Sequence, residues 1–338
     1  MDVEVAWDSL FSQFNALGGV AQNVLVREGR FGRGVFPADL NSSSIIFTPA
    51  KLLVDYSNLE LVDERIRIKD KSTFAPKDAE FIECCYTNYC WRNQGFLPSR
   101  KFLNLLSSLP LIVQTLLVDY GFVSQDNFKT SITDNDIFKR FLDERNVHFG
   151  KRRVLAPVWD LINHSTFAQS FRLSSAGIKS PNFFNSSEEV LQNYAPRCSP
   201  IYLWSHYGFS TKCIVSYSIP FITRVNNENL TIECVGHQHD NHGTDTPNLR
   251  MEDRRFVIQS MPVGSISKTL PYVQFKRSMQ RYGWSANESY DLFTDIQEKN
   301  IAARSLLIDH LNDCDLEGVS ALLQALNYEL ELIKGSRI

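Results

Sequence analysis

The sequence predicts an α+β chain: small sheets carrying a helical insert, followed by a mostly α-helical C-terminal lobe. Three observations carry this. Short apolar runs broken by Gly, Pro, Asn and Ser fill roughly 20 to 56 and 150 to 225; such punctuation is the mark of strands and turns. Between them, from roughly 75 to 145, apolar residues recur at helical spacing. Beyond Pro271 the same spacing runs to the end of the chain. The linear division expected is 1–225 for the β-rich domain with its insert at about 60–145, a connecting hairpin over 226–258, and a helical domain over 259–338.

Each element follows from its residues. The run Val24-Leu25-Val26 leads into a glycine-rich turn, Gly29-Arg30-Phe31-Gly32-Arg33-Gly34, and then Val35-Phe36. Ile45-Ile46-Phe47 follows and stops at Pro49, so the segment forms a small β unit. In the insert, Phe81, Cys85 and Tyr89 share one helical face, and Phe102, Leu103, Leu105, Leu106 and Leu109 form another. NLTIECV and RRFVIQ flank a polar loop and predict the hairpin. In the C-terminal part Ile301, Leu306, Leu307, Leu311, Leu316, Val319, Leu322, Leu323, Leu326 and Leu330 supply apolar stripes between acids and amides.

Composition narrows the classes of function. The chain has 338 residues, 43% hydrophobic and 22% charged, enough for a substantial core and two lobes. A net charge of -3 argues against general nucleic-acid or anionic-membrane binding, which needs a basic face. No apolar run reaches the ~20 residues of a membrane span, and the start, MDVEVAWDSLFSQF, carries acids where a signal peptide is cationic. An intracellular monomer of the cytoplasm or nucleus is expected. Seven irregularly spaced cysteines fit neither a disulfide framework nor a CxxC pair, so free thiols are expected.

The segment Val154 to Ser165, VLAPVWDLINHS, ends an apolar run on Asn163, His164 and Ser165, with Asp160 three residues before Asn163. By itself it is a buried strand that runs into a bend, since Pro157 cannot sit in a central ladder. Its polar end satisfies local backbone groups in a turn, or it binds something.

Three motifs in a fixed order resemble the SET domain. GRGVF at Gly32 to Phe36, with SIIFTPAKLLV from Ser44, resembles the family's opening turn and proline-led strand. VLAPVWDLINHS is similar to its asparagine-histidine motif. EEVLQNYAPRCSPIYLWSHYGFS, Glu188 to Ser210, looks like the segment with one tyrosine near its start and Tyr-Gly-Phe at its end. Tyr207 lies 44 residues after Asn163 (207 − 163), compatible with the class that includes the Rubisco large-subunit methyltransferase. That class also carries a long helical insert and a helical C-terminal substrate-binding domain.

The resemblance implies methyl transfer from S-adenosylmethionine to a lysine of a protein that docks on the C-terminal helical lobe, with no metal. It puts the backbone of Arg33, Gly34 and Val35 near the donor, and Asn163 and His164 at its methionine or adenine end. Arg145, 18 residues before Asn163 (163 − 145), would reach the donor's carboxylate. Tyr207 would stand at the methyl-transfer site and help hold the donor, Tyr194 would line the same channel as a second catalytic residue, and Asp160 would attract the acceptor ammonium. Read without the resemblance, these are a tight turn, two packed tyrosines, a turn cap, and an arginine paired with Asp143 or Glu144.

The chain departs from the family pattern at Trp159 for a small residue, Ala195 for glycine and Cys198-Ser199-Pro200 for Ser-Asn. Also absent is the Asn-Pro-Asp type segment after Tyr-Gly-Phe. These changes favour a second possibility, a catalytically inactive SET-like protein-binding module. A third is a metal-dependent hydrolase using His237, His239 and His242 with Asp240 and Asp245. There the HxHxDH ligand run is broken by Asn241, and a solvated loop explains the cluster as well.

Overall fold

In the computed structural model, the described residues are 3–182, 188–194, 197–225, 230–235, 247–252 and 255–337. The structure is α+β, with small sheets, a helical stretch between them and three helices at its C-terminal end. Contacts divide the chain into two units that do not follow the linear order. The first comprises Met1–Arg100 and Thr133–Pro196, the second Lys101–Ile132 and Arg197–Ile338.

The first unit opens with helix Val3–Ala16, whose face Trp7, Leu10, Phe11 and Phe14 is buried at i, i+3, i+4, i+7. Strands Val24–Gly29 and Gly32–Pro37 form the hairpin expected from the glycine-rich turn, Gly32 taking φ +84°. A four-stranded antiparallel sheet runs in the order Val20–Gln22, Ile45–Pro49, Gly177–Lys179, Arg172–Ser174. Arg152–Leu155 lies between Val54–Asp55 and Val147–Phe149, and ends before Pro157. The stretch from 60 begins as a hairpin, Leu59–Val62 with Arg65–Ile68, so the insert at about 60–145 is not helical from its start. Its turn residues Asp63 and Glu64 take φ 49° and 58°, the geometry of a two-residue primed turn. Helix Pro76–Cys84 passes directly into a π-helical stretch, Cys85–Gly95. That wider winding places Cys85 and Cys90, five apart and both buried, on one face.

In the second unit the segment 226–258 is not one hairpin. Leu230–Cys234 and Arg255–Gln259, the two apolar runs, pair parallel, with Ile232 opposite Phe256. Each is instead the antiparallel partner of another strand, Phe221–Val225 and Asn248–Glu252 respectively, which gives a four-stranded sheet. Strand Asn248–Glu252 runs opposite to both, so the second apolar run points the same way as the first. Helices Leu270–Gln280, Ala286–Asn312 and Val319–Gly335 follow. Phe102, Leu106, Leu109, Val113 and Leu117 pack in one core with Trp204, Leu307, Leu311, Leu322 and Leu326, so 101–132 belongs with the C-terminal helices. No single described helix is long and apolar enough to cross a membrane.

Candidate functional site

Asn163 and His164 form a two-residue strand that pairs parallel with Leu191–Gln192. Strand Gly32–Pro37 reaches the same place: Val190 N–H donates to Val35 O (2.7 Å), and Asn163 Nδ2 donates to Arg33 O (3.0 Å) across 130 residues. A second bond from Asn163 Nδ2 goes to Glu189 Oε1 at 2.5 Å. Burial pushes the Glu189 carboxyl above its ordinary range, and the Asn163 amide opposes this.

Glu189 lies directly over Gly34. A Cβ there would meet Glu189 Oε1 at 1.8 Å and Asn163 Nδ2 at 2.8 Å, so the position admits only glycine while those two stay paired. Gly34→Ala is expected to cost about 1–3 kcal/mol in urea unfolding and to break the Asn163–Glu189 bond. An unchanged midpoint would show that Glu189 swings away freely.

His164 is buried, and its Nδ1 accepts from the Tyr194 backbone N–H at 3.1 Å. That bond leaves the proton on Nε2, 3.3 Å from Thr166 Oγ1, in the neutral ring. Tyr194 Oη donates to Ile162 O (2.6 Å), and burial raises its hydroxyl out of the titrating range. Backbone and side chain therefore both fix Tyr194 on the Ile162–His164 segment.

Asp160 follows a strained residue. Val158, β-branched, takes φ 69° and ψ −43°, which launches the single turn Trp159–Leu161; such outliers cost on the order of 1–3 kcal/mol and need a surrounding fold to hold them. Both Asp160 carboxylate oxygens are shielded from solvent and without a hydrogen-bond partner, as are Trp159 Nε1, Tyr86 Oη and both amide atoms of Gln192. Burial pushes the Asp160 carboxyl up to about 6, against the opposing charge of Arg145 and then the Tyr86 hydroxyl and Arg33. Arg145 itself donates to Phe141 O (3.2 Å) and Gly95 O (3.3 Å) and approaches Glu144 at 3.5 Å. Of the two acids beside it, Asp143 pairs with Arg153 instead (2.6 Å). The Arg33 side chain donates to Asn93 O (3.2 Å) and lies over Trp7, so only its backbone faces Asn163.

The first unit thus assembles Arg33, Gly34, Val35, Arg145, Asp160, Asn163, His164 and Tyr194. Tyr207 belongs to the second unit, as the last residue of helix Pro200–Tyr207. That helix is closed by Gly208 in the left-handed conformation and opened by Ser199, whose Oγ accepts from Tyr202 N–H. Pro200 occupies the first helical position, where a missing N–H costs nothing, so this departure is locally accommodated. Trp159 is also accommodated, buried edge-on against Phe171 with ring centroids 4.9 Å apart. Ala195 and the histidine loop with His237, His239 and His242 lie outside the described residues. Among the described residues no cluster of three His, Cys, Asp or Glu side chains could hold a metal.

Sequence reasoning assigned no role to Glu189, Gln192 or Tyr86. Glu189 had a signal, since it stands in the quoted EEVLQNY string; Tyr86 had none, its position depending on the π-helical winding.

No protein-family model matches the chain, and no curated protein sequence does. Solved structures are similar over almost its whole length. "Crystal structure of the SET domain of LSMT bound to Lysine and AdoHcy" covers 99% of this chain and 90% of that one, at 11% identity and a TM-score of 0.44. "Structure of Rubisco LSMT bound to AdoMet" covers 97% and 89%, at 12% identity and a TM-score of 0.45. A form bound to sinefungin and monomethyllysine covers 99% and 90%, with the same identity of 12% and the same TM-score of 0.45.

Proposed function

We propose that the chain transfers a methyl group from S-adenosylmethionine to a lysine side chain of a protein docked on its C-terminal helices. One observation carries this: Asn163 reaches across 130 residues to the Arg33 carbonyl, which joins the two segments whose motifs resemble the SET donor pocket. The residues present suit a cationic donor without a metal. Glu189 and Asp160 supply buried negative charge, and Gln192 and Trp159 Nε1 supply unpartnered polar atoms. When bound, S-adenosylmethionine supplies a sulfonium methyl open to in-line displacement by a neutral amine.

In this proposal the backbone of Arg33, Gly34 and Val35 lines the donor, and Asn163 and His164 hold its methionine or adenine end. Arg145 engages its carboxylate bidentately once turned from the Gly95 and Phe141 carbonyls. Asp160 draws in the acceptor ammonium, while Tyr194 lines the channel and Tyr207 orients methyl and amine. A lysine of ordinary pKa ~10.4 must shed its proton before attack, which burial beside a cation favours.

The alternative, an inactive binding module, is favoured by Glu189, because it covers Gly34 and takes up the Asn163 amide. Calorimetry with S-adenosylmethionine and its demethylated product separates the two when joined to methyl labelling of a whole-cell extract read by mass spectrometry. Binding of both with label on a lysine is the expected result. Binding without transfer supports the module, and no binding of either ends the enzyme proposal. Tyr207→Phe is expected to keep donor affinity and to lower turnover by about 10²-fold, the usual cost of a misaligned reacting pair. Full turnover in that variant would remove Tyr207 from the site.

A further inference from the structure

Cys198 and Cys213 stand at the two ends of the segment that contains helix Pro200–Tyr207. Both are buried thiols, and their sulfurs lie 4.0 Å apart, in van der Waals contact. A disulfide would bring such a pair to about 2.05 Å.

The approach is not a chance meeting of two loops. Three residues after Cys198 the Ile201 backbone N–H donates to Glu329 Oε1 (3.3 Å), and three residues after Cys213 the Ser216 hydroxyl donates to Glu329 Oε2 (2.6 Å). One buried carboxylate therefore clamps both cysteine-bearing segments. Tyr217 Oη adds a bond to the carbonyl of Arg197, the residue just before Cys198, at 3.2 Å. Two thiols fixed side by side in this way react with each other as an intramolecular pair. The remaining shift falls on residues 209–212, which form no regular secondary structure. Arg197 and Lys212, each preceding one of the cysteines, are exposed, so both sulfurs lie next in sequence to the surface.

We propose that Cys198 and Cys213 are a redox modification site, oxidised reversibly by a low-molecular-weight disulfide to a bridge that ties together the two ends of the segment bearing Tyr207. One cysteine, as thiolate, attacks a sulfur of the oxidant and expels one thiolate; the other then attacks that mixed disulfide and expels the second. The two protons lost by the cysteines end on the two released thiols, and the two electrons removed reduce the oxidant. Excess thiol reverses both steps. Neither sulfur belongs to the proposed donor or acceptor site, so the reaction is independent of methyl transfer.

The test treats the native full chain with oxidised glutathione, blocks the remaining thiols by alkylation and digests it with trypsin. Cleavage after Arg197 and after Lys212 puts the two cysteines on separate peptides, 198–212 and 213–224. Mass spectrometry should find these peptides joined, about 2 Da lighter than the sum of their reduced forms, and separated again by a reducing agent. Amide hydrogen exchange over 209–212 should slow severalfold in the oxidised chain and should not slow in Cys213→Ala given the same oxidant. Glutathione adducts on both cysteines without a link, a link that forms only after unfolding in urea, or exchange over 209–212 that is unchanged in the linked chain would each overturn the proposal. So would slowing that persists in Cys213→Ala.

Discussion

Glu329→Ala is expected to lower unfolding free energy by about 3–5 kcal/mol, as removal of one partner from a buried ion pair leaves the other charge uncompensated. Arg304 and Glu329 are both fully buried. Glu329 Oε2 accepts from Arg304 Nη2 (2.6 Å), Arg304 Nε (2.9 Å) and Ser216 Oγ (2.6 Å), while Oε1 accepts from the Ile201 backbone N–H (3.3 Å). The rest of the guanidinium is satisfied by Tyr217 O (2.8 Å), Asn300 O (3.1 Å) and Asn300 Oδ1 (2.8 Å). Helices Ala286–Asn312 and Val319–Gly335, strand Val215–Tyr217 and the first turn of the helix bearing Tyr207 are thereby tied to one pair of charges.

Domain stability is typically 5–15 kcal/mol, so that single loss consumes a large share of it. Replacing both charges, as Arg304→Met with Glu329→Leu, should recover most of the deficit, because a dry apolar contact often equals a buried pair. Urea titration of the two singles and the double measures the coupling. A loss under about 1 kcal/mol in Glu329→Ala would mean that water reaches Arg304. The bonds to Ile201 and Ser216 also predict that the damage spreads to helix Pro200–Tyr207. The turnover proposed to depend on Tyr207 should fall with it.

The sequence made local structure legible and left long-range pairing hidden. Gly32 and Gly34 announced the hairpin because glycine takes a positive φ, or another side chain pressed on its backbone, at no steric cost. The strand ending before Pro157 was legible for a comparable reason. Helix Val3–Ala16 carries its period in Trp7, Leu10, Phe11 and Phe14, but a single apolar stripe does not show which surface covers it. Parallel pairing of Leu230–Cys234 with Arg255–Gln259 was not legible, since alternation within a strand says nothing about its neighbour's direction. Nor was the joining of 101–132 to the C-terminal helices, a matter of contacts across some two hundred residues.

In the candidate site, Asn163, His164 and Tyr194 stand together, as their motif order suggested. Glu189 was overlooked because a carboxylate over a glycine is visible only in three dimensions. Strain at Val158 is likewise imposed by packing rather than by residue type, for valine is among the residues least suited to positive φ.

Asp160→Asn is expected to make the chain more stable at neutral pH while removing the charge proposed to attract the acceptor ammonium. The sign follows from the direction of the shift. Burial raises the folded-state carboxyl from 3.8 to about 6, so the folded chain binds this proton more tightly than the unfolded chain. The stabilising effect of that proton is fully present below pH 3.8 and is lost as pH rises through about 6. Above pH 6 the ionised carboxylate is a net cost. The difference between 3.8 and about 6, at about 1.4 kcal/mol per pH unit, comes to about 3 kcal/mol. An amide of the same shape carries no charge and so escapes most of it. The wild type and Asp160→Asn should therefore differ by up to about 3 kcal/mol at pH 7.5 and converge near pH 4, a comparison that urea titration at the two pH values makes directly. If the variant is equally stable or less stable at pH 7.5, the carboxylate is solvated or paired in the folded chain. If it is more stable, the buried charge itself weakens the fold at neutral pH. Such a trade of stability for charge is expected where a site is selected for binding rather than for packing.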